Sequence, residues 1–181
     1  KLNKKFDIIE SSGTLHHMKD PVKGLKVLLD ILVPHGFLKL GLYSETARKE
    51  IVEAREFIKK KNYKNTTKDI KICRQDIINK KVNPIISKIS ISTDFYSISS
   101  VRDLLFHVQE HRFTIPQISK ILKDLNLEFL GFYFSDLIVK KKFSESFPDD
   151  KKNTSLENWH QFEINNPDTF TRMYQFWVRK I

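Results

Sequence analysis

Residues 1–43 alternate between apolar runs and a helical pattern in a way that predicts a β-α-β unit. The run Phe6–Ile9 is flanked by polar residues, as is typical of a buried strand. After an Asp-Pro helix start, apolar residues recur at helical spacing over residues 22–32. The sequence Pro34-His35-Gly36 is expected to end that helix, and Phe37–Tyr43 predicts a second strand. Two strands joined by a helix in this rhythm favour parallel pairing.

The remaining sequence predicts a long helical stretch and then two more strands. Helical spacing of apolar residues is found at Ser44–Asn62, Thr67–Asn79, Val101–Gln109, Thr114–Asn126 and from Ser155 onward. Strands are predicted at Leu127–Phe134 and Met173–Arg179, separated by a mainly polar insertion. The sequence therefore predicts one α/β domain with a β-α-β core at 1–43, a helical region at 44–126 and a C-terminal strand pair at 127–181.

Composition narrows the function classes. The chain has 181 residues, of which 40% are hydrophobic, and this is enough for one domain with a real core. Its single cysteine, Cys73, excludes an internal disulfide and a cysteine-based metal site. We see no apolar run near the ~20 residues that span a bilayer and no signal peptide, so we expect a cytoplasmic protein. The net charge of +10 comes from scattered lysines, which disfavours a nucleic-acid partner but leaves one open.

Several stretches resemble a known family. In Phe6–Arg48, a strand is followed by a Leu-His-His-x-x-Asp-Pro loop, a helix, a Pro-x-Gly turn and a strand, which resembles the second half of the core of class I S-adenosylmethionine-dependent methyltransferases. Further stretches resemble a bacterial branch that is often fused to tetratricopeptide repeats; they are Gly41–Glu45, Arg102–Pro116, Phe147–Asp150 and Asn166–Arg179. The chain is identified as the C-terminal part of such an enzyme, with fused or partner tetratricopeptide repeats as a candidate partner.

The resemblance implies an incomplete Rossmann-like sheet. The four predicted strands correspond to the last four of seven, with the seventh antiparallel between the fifth and sixth and a helical insertion between the fifth and sixth. The glycine-rich turn and the acidic residue that hold the cofactor's nucleotide part belong to the first three strands, which this sequence lacks. We therefore expect the chain alone to be inactive. We also expect its first strand to expose an apolar edge that favours self-association.

Candidate cofactor-binding residues follow the first strand, because ligands of open α/β sheets bind at the carboxyl ends of the strands. The resemblance places Ser12, Gly13, Thr14 and Leu15 beside the methionine half of S-adenosylmethionine. Gly13 suits close backbone approach, although it could equally be an ordinary loop glycine. We expect no metal, since two adjacent histidines in a loop are poor evidence for a metal site and no third ligand has suggestive spacing.

Candidate catalytic residues are four histidines, because imidazole titrates near neutral pH. They are His16, His17, His107 and His111. The last two would lie one turn apart if one helix carried both. The alternative for His16 and His17 is that one packs under the following helix and the other is exposed to solvent. For His107 and His111 it is a buried structural network.

Candidate substrate-binding residues lie at the end of the second strand and in the polar stretch near residue 110. They are Tyr43, Arg48, Arg102, Glu110 and Arg112. The stretch is interpreted as a lid or acceptor wall, with a buried structural network as the alternative. The predicted reaction is methyl transfer from S-adenosylmethionine to a small-molecule or protein acceptor. The alternatives are an RNA methyltransferase and a non-catalytic interaction module.

Overall fold

The protein is described from a computed structural model, which covers residues 3–170 and 173–181. The strands are β1 (Phe6–Ser12), β2 (Leu32–Tyr43), β3 (Leu127–Phe132) and β4 (Met173–Lys180). The α-helices are α1 (Pro21–Ile31), α2 (Lys49–Lys61), α3 (Thr67–Ile78), α4 (Pro84–Ser87), α5 (Ile98–Phe106), α6 (Ile115–Asp124), α7 (Leu137–Ser146) and α8 (Leu156–Asn165). Short 3-10 helices lie at Leu15–His17, Thr46–Arg48, Lys88–Ile91 and Thr93–Phe95.

The four strands form one mixed sheet with the order β1-β2-β4-β3. Strands β1 and β2 are parallel, while β4 is antiparallel to both β2 and β3. The last strand therefore lies between the second and third strands, as expected for this sequence. The parallel pair brings the carboxyl ends of β1 and β2 to the same edge of the sheet.

Strand β1 departs from its prediction as a buried strand. Its side chains are mostly exposed, and Ile8 keeps 60% of its surface accessible. Among the described residues β1 pairs only with β2, so its other edge has no strand beside it. Phe6 and Ile8 share one face of β1 and stay exposed, whereas Ile9 on the other face packs against the core. Burial inferred from the apolar run was therefore wrong for most of the strand. The expected self-association remains a prediction.

The turn predicted at Pro34-His35-Gly36 lies instead inside β2. Helix α1 ends at Ile31 and the strand begins at the next residue. The pairing with β1 shifts register between Leu32 and Phe37, so the three residues bulge out of the ladder. The bulge contains His35 at φ 60°, a left-handed conformation. A proline and a glycine thus mark an irregularity within a strand here, rather than a break between elements.

The chain divides into two compact units. The sheet unit extends to Ala47 and resumes at Gln109, and the helical unit is Arg48–Val108. Residues 109–126, which we had grouped with the helical region, therefore group with the sheet. The core of the sheet unit includes Leu38 and Tyr174, both fully buried.

The helical unit has a core of its own. Helix α3 presents Ile70, Cys73 and Ile77 to it at helical spacing, and all three are almost fully buried. Thr66 caps this helix by accepting a hydrogen bond from the backbone N–H of Asp69. The apolar periodicity that predicted α3 is therefore the same pattern that builds this core.

Two helices differ from their predictions. Helix α5 ends at Phe106, because His107 adopts an extended conformation, so the predicted helix to Gln109 was too long. Helix α7 lies in the mainly polar insertion, at a place where no helix was predicted. Its burial is limited to Phe143, which leaves little apolar periodicity in the sequence to reveal it.

Candidate functional site

Three segments of the sheet unit meet at the carboxyl ends of β1 and β2. The first is the loop after β1, and the second is the end of β2. The third, Gln109–Phe113, runs beside the end of β2: Phe113 N–H donates to the carbonyl of Tyr43 at 2.8 Å, and Glu45 N–H donates to the carbonyl of Phe113 at 2.9 Å. His111 N–H donates to the carbonyl of His16 at 2.8 Å, which ties the third segment to the first.

The loop after β1 contains the four predicted cofactor-binding residues. Gly13 has φ 75°, and a Cβ built there would meet no atom within 4 Å. Its neighbours Ser12 and Thr14 are exposed, whereas Leu15 is buried in the core. The loop therefore presents an open stretch of backbone at Gly13, anchored by an apolar side chain two residues later.

The two adjacent histidines have different environments. His16 is fully buried, and its ring stacks on Tyr43 with the centroids 3.6 Å apart. His17 is partly buried, and its Nδ1 lies 3.0 Å from the carbonyl oxygen of Gln109. Because a carbonyl can only accept, Nδ1 of His17 carries a proton and its Nε2 holds a lone pair in the neutral ring. The two rings thus differ in burial and in the groups that hold them.

Gln109 connects two of the predicted histidines. Its carbonyl accepts from His17, and its side-chain amide lies 3.2 Å from Nε2 of His111. The same amide donates to the carbonyl of Met18 at 3.3 Å. Sequence reasoning missed Gln109, although its position between two candidate histidines was the available signal.

Arg112 lies between two carboxylates. Its Nε donates to Glu45 Oε2 at 2.9 Å, and its Nη1 is 3.7 Å from Glu110 Oε1. The side chain of Glu110 is only 1% exposed. Glu110, predicted to bind substrate, is thus buried in an ion pair with Arg112. A guanidinium shared by two carboxylates fixes the segment that also carries His111.

Three predicted site residues belong to the helical unit. Arg102 donates to Asn65 Oδ1 at 2.9 Å and to Thr67 Oγ1 at 3.3 Å. The carbonyl of His107 accepts from Arg55 at 2.9 Å. Arg48 is buried at the end of a 3-10 helix.

The predicted helical pairing of His107 with His111 was wrong. Helix α5 stops at Phe106, and His107 is its extended C-cap. Residues 107–111 contain no helical turn. The error arose because apolar spacing continues past the last helical residue without a glycine or proline to mark the end.

Sequence reasoning missed a buried glutamate, Glu163, which lies behind the end of β2 with two hydroxyl partners. Glu163 is 2% exposed, and it accepts hydrogen bonds from Tyr174 Oη at 2.8 Å and from Ser44 Oγ at 3.2 Å. Burial raises the pKa of Glu163 despite these hydrogen bonds, and burial also raises the pKa of Tyr174. The available signal was periodicity, because Glu163 continues the buried face of Leu156 and Trp159 on α8.

Comparisons with known proteins identify the fold. No protein-family model matches the chain. PKMT2 of Rickettsia typhi, a methyltransferase, aligns over 97% of this chain with a TM-score of 0.67 and 16% identity. PKMT2 in complex with AdoHcy aligns over 98% with a TM-score of 0.61 and 16% identity. The chain shares the fold of PKMT2. At this identity the likeness establishes the fold and not the activity.

The chain spans less than half the length of the proteins it resembles. It covers 35% of PKMT2 and 36% of PKMT2 in the AdoHcy complex. The uncharacterized protein syc1184_c of Synechococcus sp. is 26% identical over 171 residues, which cover 88% of this chain and 40% of that protein.

Two further findings concern the described residues. No set of three or more histidine, cysteine or acidic side chains among them is arranged to hold a metal ion. None of the helices in the described ranges has both the length and the apolar character to cross a membrane.

Proposed function

We propose that this chain is the acceptor-side part of an S-adenosylmethionine-dependent methyltransferase with a Rossmann-like sheet, acting on a small-molecule or protein acceptor. The observation that carries the proposal is the open backbone at Gly13, set at the carboxyl end of β1 in a fold shared with a methyltransferase. In open α/β sheets, ligands bind at this edge.

The residues present fit one half of the cofactor. The open loop Ser12–Leu15 could accommodate the methionine part of S-adenosylmethionine, since no atom lies within 4 Å of the Cβ position of Gly13. We propose that a glycine-rich turn for the nucleotide part is contributed by sequence outside these 181 residues. The apolar edge at β1 supports this, because further strands could pair there. A groove of about 460 Å³ on the exposed sheet face, lined in part by Ile8, Phe37 and Trp177, supports it too.

In this proposal, the residues of this chain position the acceptor and remove a proton from it. When bound, S-adenosylmethionine supplies a methyl group on a positively charged sulfur. A protonated acceptor must also lose a proton, for which Nε2 of His17 is the proposed base. Tyr43 and Arg112 are proposed to line the acceptor side.

The other candidate residues have less structural support for their roles than His17, Tyr43 and Arg112. His111 is held by Gln109 in the sheet unit and is the second candidate base. His16 is proposed to orient Tyr43 because the two rings stack. Roles for Arg48, Arg102 and His107 remain predictions, because these residues belong to the helical unit.

Calorimetry with S-adenosylmethionine tests the proposal. The titration is made on this chain and on a version extended upstream in its source gene. Micromolar binding by the extended version alone is expected. Absence of binding by both would contradict the methyltransferase proposal and favour an interaction module.

Substitution then tests the proposed base. In an acceptor screen with the extended version, His17→Gln should lose activity while cofactor affinity stays unchanged. The matched control is His35→Asn, because His35 is an exposed histidine in the bulge of β2, away from the carboxyl end of that strand. Asparagine also tolerates its left-handed backbone. Unchanged activity in the His17 variant would remove that residue from the mechanism. A steep decrease in acceptor binding with salt would favour RNA as the acceptor.

A further inference from the structure

We propose that Glu163 is a positioning residue that fixes the carboxyl end of β2, and with it the wall of the candidate site formed by Tyr43 and Glu45. It acts through the hydroxyl groups of Ser44 and Tyr174. The proposal rests on the proposed function only for the purpose of the site. The structural part of the proposal rests on the burial of Glu163 and on the contacts of Ser44, Tyr174, Tyr43 and Glu45.

Glu163 joins three elements of the sheet unit. It lies on α8, accepts from Tyr174 on β4 with both carboxylate oxygens, at 2.8 and 3.0 Å, and accepts from Ser44 directly after β2 at 3.2 Å. Both Ser44 and Tyr174 are fully buried, so water is excluded from the cluster. A hydrogen bond in such an environment holds its partners more rigidly than one exposed to solvent.

Ser44 transmits this restraint to the site. While its hydroxyl donates to Glu163, the same oxygen accepts from Ala47 N–H at 3.1 Å, so the turn after β2 is held from both sides. The residues on either side of Ser44 face the site. Tyr43 stacks on His16, and Glu45 binds Arg112. A shift of Ser44 would therefore move both of them.

The choice of a carboxyl group supports a positioning role. Burying a carboxyl group costs free energy that an apolar side chain of similar size avoids. Burial raises the pKa of Glu163, which is the physical signature of that cost. What the carboxyl provides in exchange is a fixed acceptor for two hydroxyl groups, and leucine could not provide one.

The test uses the histidine ring signals of the 181-residue chain in NMR spectra. Because His16 stacks on Tyr43, its ring signals carry an upfield shift from the tyrosine. Glu163→Leu and Ser44→Ala are each expected to move these signals towards the values of free histidine. Glu163→Gln keeps a hydrogen-bond acceptor and is expected to retain them. Glu157→Gln is the matched control, because Glu157 is exposed on the same helix.

The outcomes separate positioning from general structural support. Thermal unfolding and the backbone amide spectrum report whether each variant is folded. Unmoved His16 signals in folded Glu163→Leu or Ser44→Ala protein would overturn the proposal. If Glu163→Leu does not fold, Tyr174→Phe decides in its place, because it removes a hydroxyl group that donates to Glu163 and leaves the bond from Ala47 to Ser44 intact. Unmoved His16 signals in that variant would likewise overturn the proposal. None of these measurements needs methyl transfer, so a failure here is distinguishable from a failure of the proposed function.

Discussion

The sheet unit of this protein buries more polar residues than the helical unit does. Among the described residues, the sheet unit buries Ser11, His16, Ser44 and Glu163, whereas the helical unit buries Arg48. The sheet unit is also built from pairings across long sequence separations, such as Leu38 with Val178. In the helical unit, helices α2 to α5 follow one another along the chain. The candidate chemistry therefore lies where distant segments meet.

Because of this difference, the sequence reveals candidate chemical groups more readily than it reveals their partners. Residues that could do chemistry were found in both units, because their types are visible in the sequence. Their partners were not, because partners in the sheet unit are brought together by strand pairing. Substitutions in each unit therefore test this difference.

The largest effect is expected for Trp159→Ala in the sheet unit. Trp159 is 1% exposed, stacks on Phe143 with the ring centroids 3.6 Å apart, and donates its indole N–H to the carbonyl of Asn153. Removing a buried aromatic ring of this kind lowers the free energy of unfolding by about 3–5 kcal/mol. Urea unfolding measures it. Trp177→Ala is the control and should cost less, because Trp177 is only partly buried. Equal losses would contradict the burial assigned to Trp159.

The fold was predictable wherever signals are local. Helix α6 was placed correctly because its start is marked by Thr114 and Gln117, whose side chains and backbone groups cap each other, and by a proline in the first turn. The end of α5 was misplaced because no breaker residue marks it. The strand pairing around β4 came from resemblance to a family and is confirmed by the structure.

The candidate site was half predictable for the same reason. The loop at Gly13 and the pair His16-His17 were found because they follow a strand. Glu163 was missed because it is separated by more than a hundred residues from Ser44, its partner. A lone glutamate on the apolar face of a helix is nevertheless a usable signal, because burial of an acid requires a compensating contact.

Stability at Glu163 should depend on pH. An unperturbed glutamate has a pKa of 4.5, and burial raises the pKa of Glu163 in the folded state. The folded protein then holds a proton that the unfolded chain has lost. The free energy of unfolding must therefore fall as pH rises from 4.5 through the raised pKa. Protonated His160 opposes the shift, since its positive charge lowers the pKa of Glu163.

The variant Glu163→Gln measures this contribution. Glutamine does not titrate, so the fall in stability due to this residue should disappear, and above that pH window the variant should be the more stable protein. Urea unfolding at a series of pH values tests the expectation. Parallel curves for the wild type and the variant would show that Glu163 is charged in the folded state as readily as in the unfolded chain.

Replacing the buried thiol of Cys73 by a hydroxyl group should destabilise the helical unit. Burial raises the pKa of the Cys73 thiol to about 12, so the thiol should resist alkylation until this unit unfolds. Cys73→Ser is expected to lower the free energy of unfolding by about 1–3 kcal/mol, because the hydroxyl loses its hydration. Cys73→Ala is the control for lost volume and should be the milder change. A serine variant as stable as wild type would mean that water reaches this core.

A smaller effect is expected at the loop after β1. Gly13→Ala meets no steric obstacle but must adopt φ 75°, which costs a residue with a side chain about 1–2 kcal/mol. Asn62→Gly is the comparison in the helical unit, because Asn62 ends α2 at φ 57° and glycine suits that conformation. Thermal unfolding should show a loss for the first variant and no loss for the second. No loss for Gly13→Ala would imply that the loop adopts another conformation.

The smallest effect on stability is expected for Arg102, one of the three arginines predicted to bind substrate. Arg102 is held within the helical unit by the exposed residues Asn65 and Thr67, so Arg102→Gln should change the free energy of unfolding by about 1 kcal/mol or less. Arg112→Gln should cost more, because it removes the ion pair with the buried side chain of Glu110 as well as the bond to Glu45.

Function should separate Arg102 from Arg112 as well. If the chemistry lies in the sheet unit, Arg112→Gln raises the KM for the acceptor and Arg102→Gln leaves it unchanged. The bonds of Arg102 to Asn65 and Thr67 lie within the helical unit and link α5 to the start of α3. Steady-state kinetics on the extended version gives both values. A raised KM in the Arg102 variant would restore its predicted role in substrate binding. It would also break the comparison, because the helical unit would then carry part of the site.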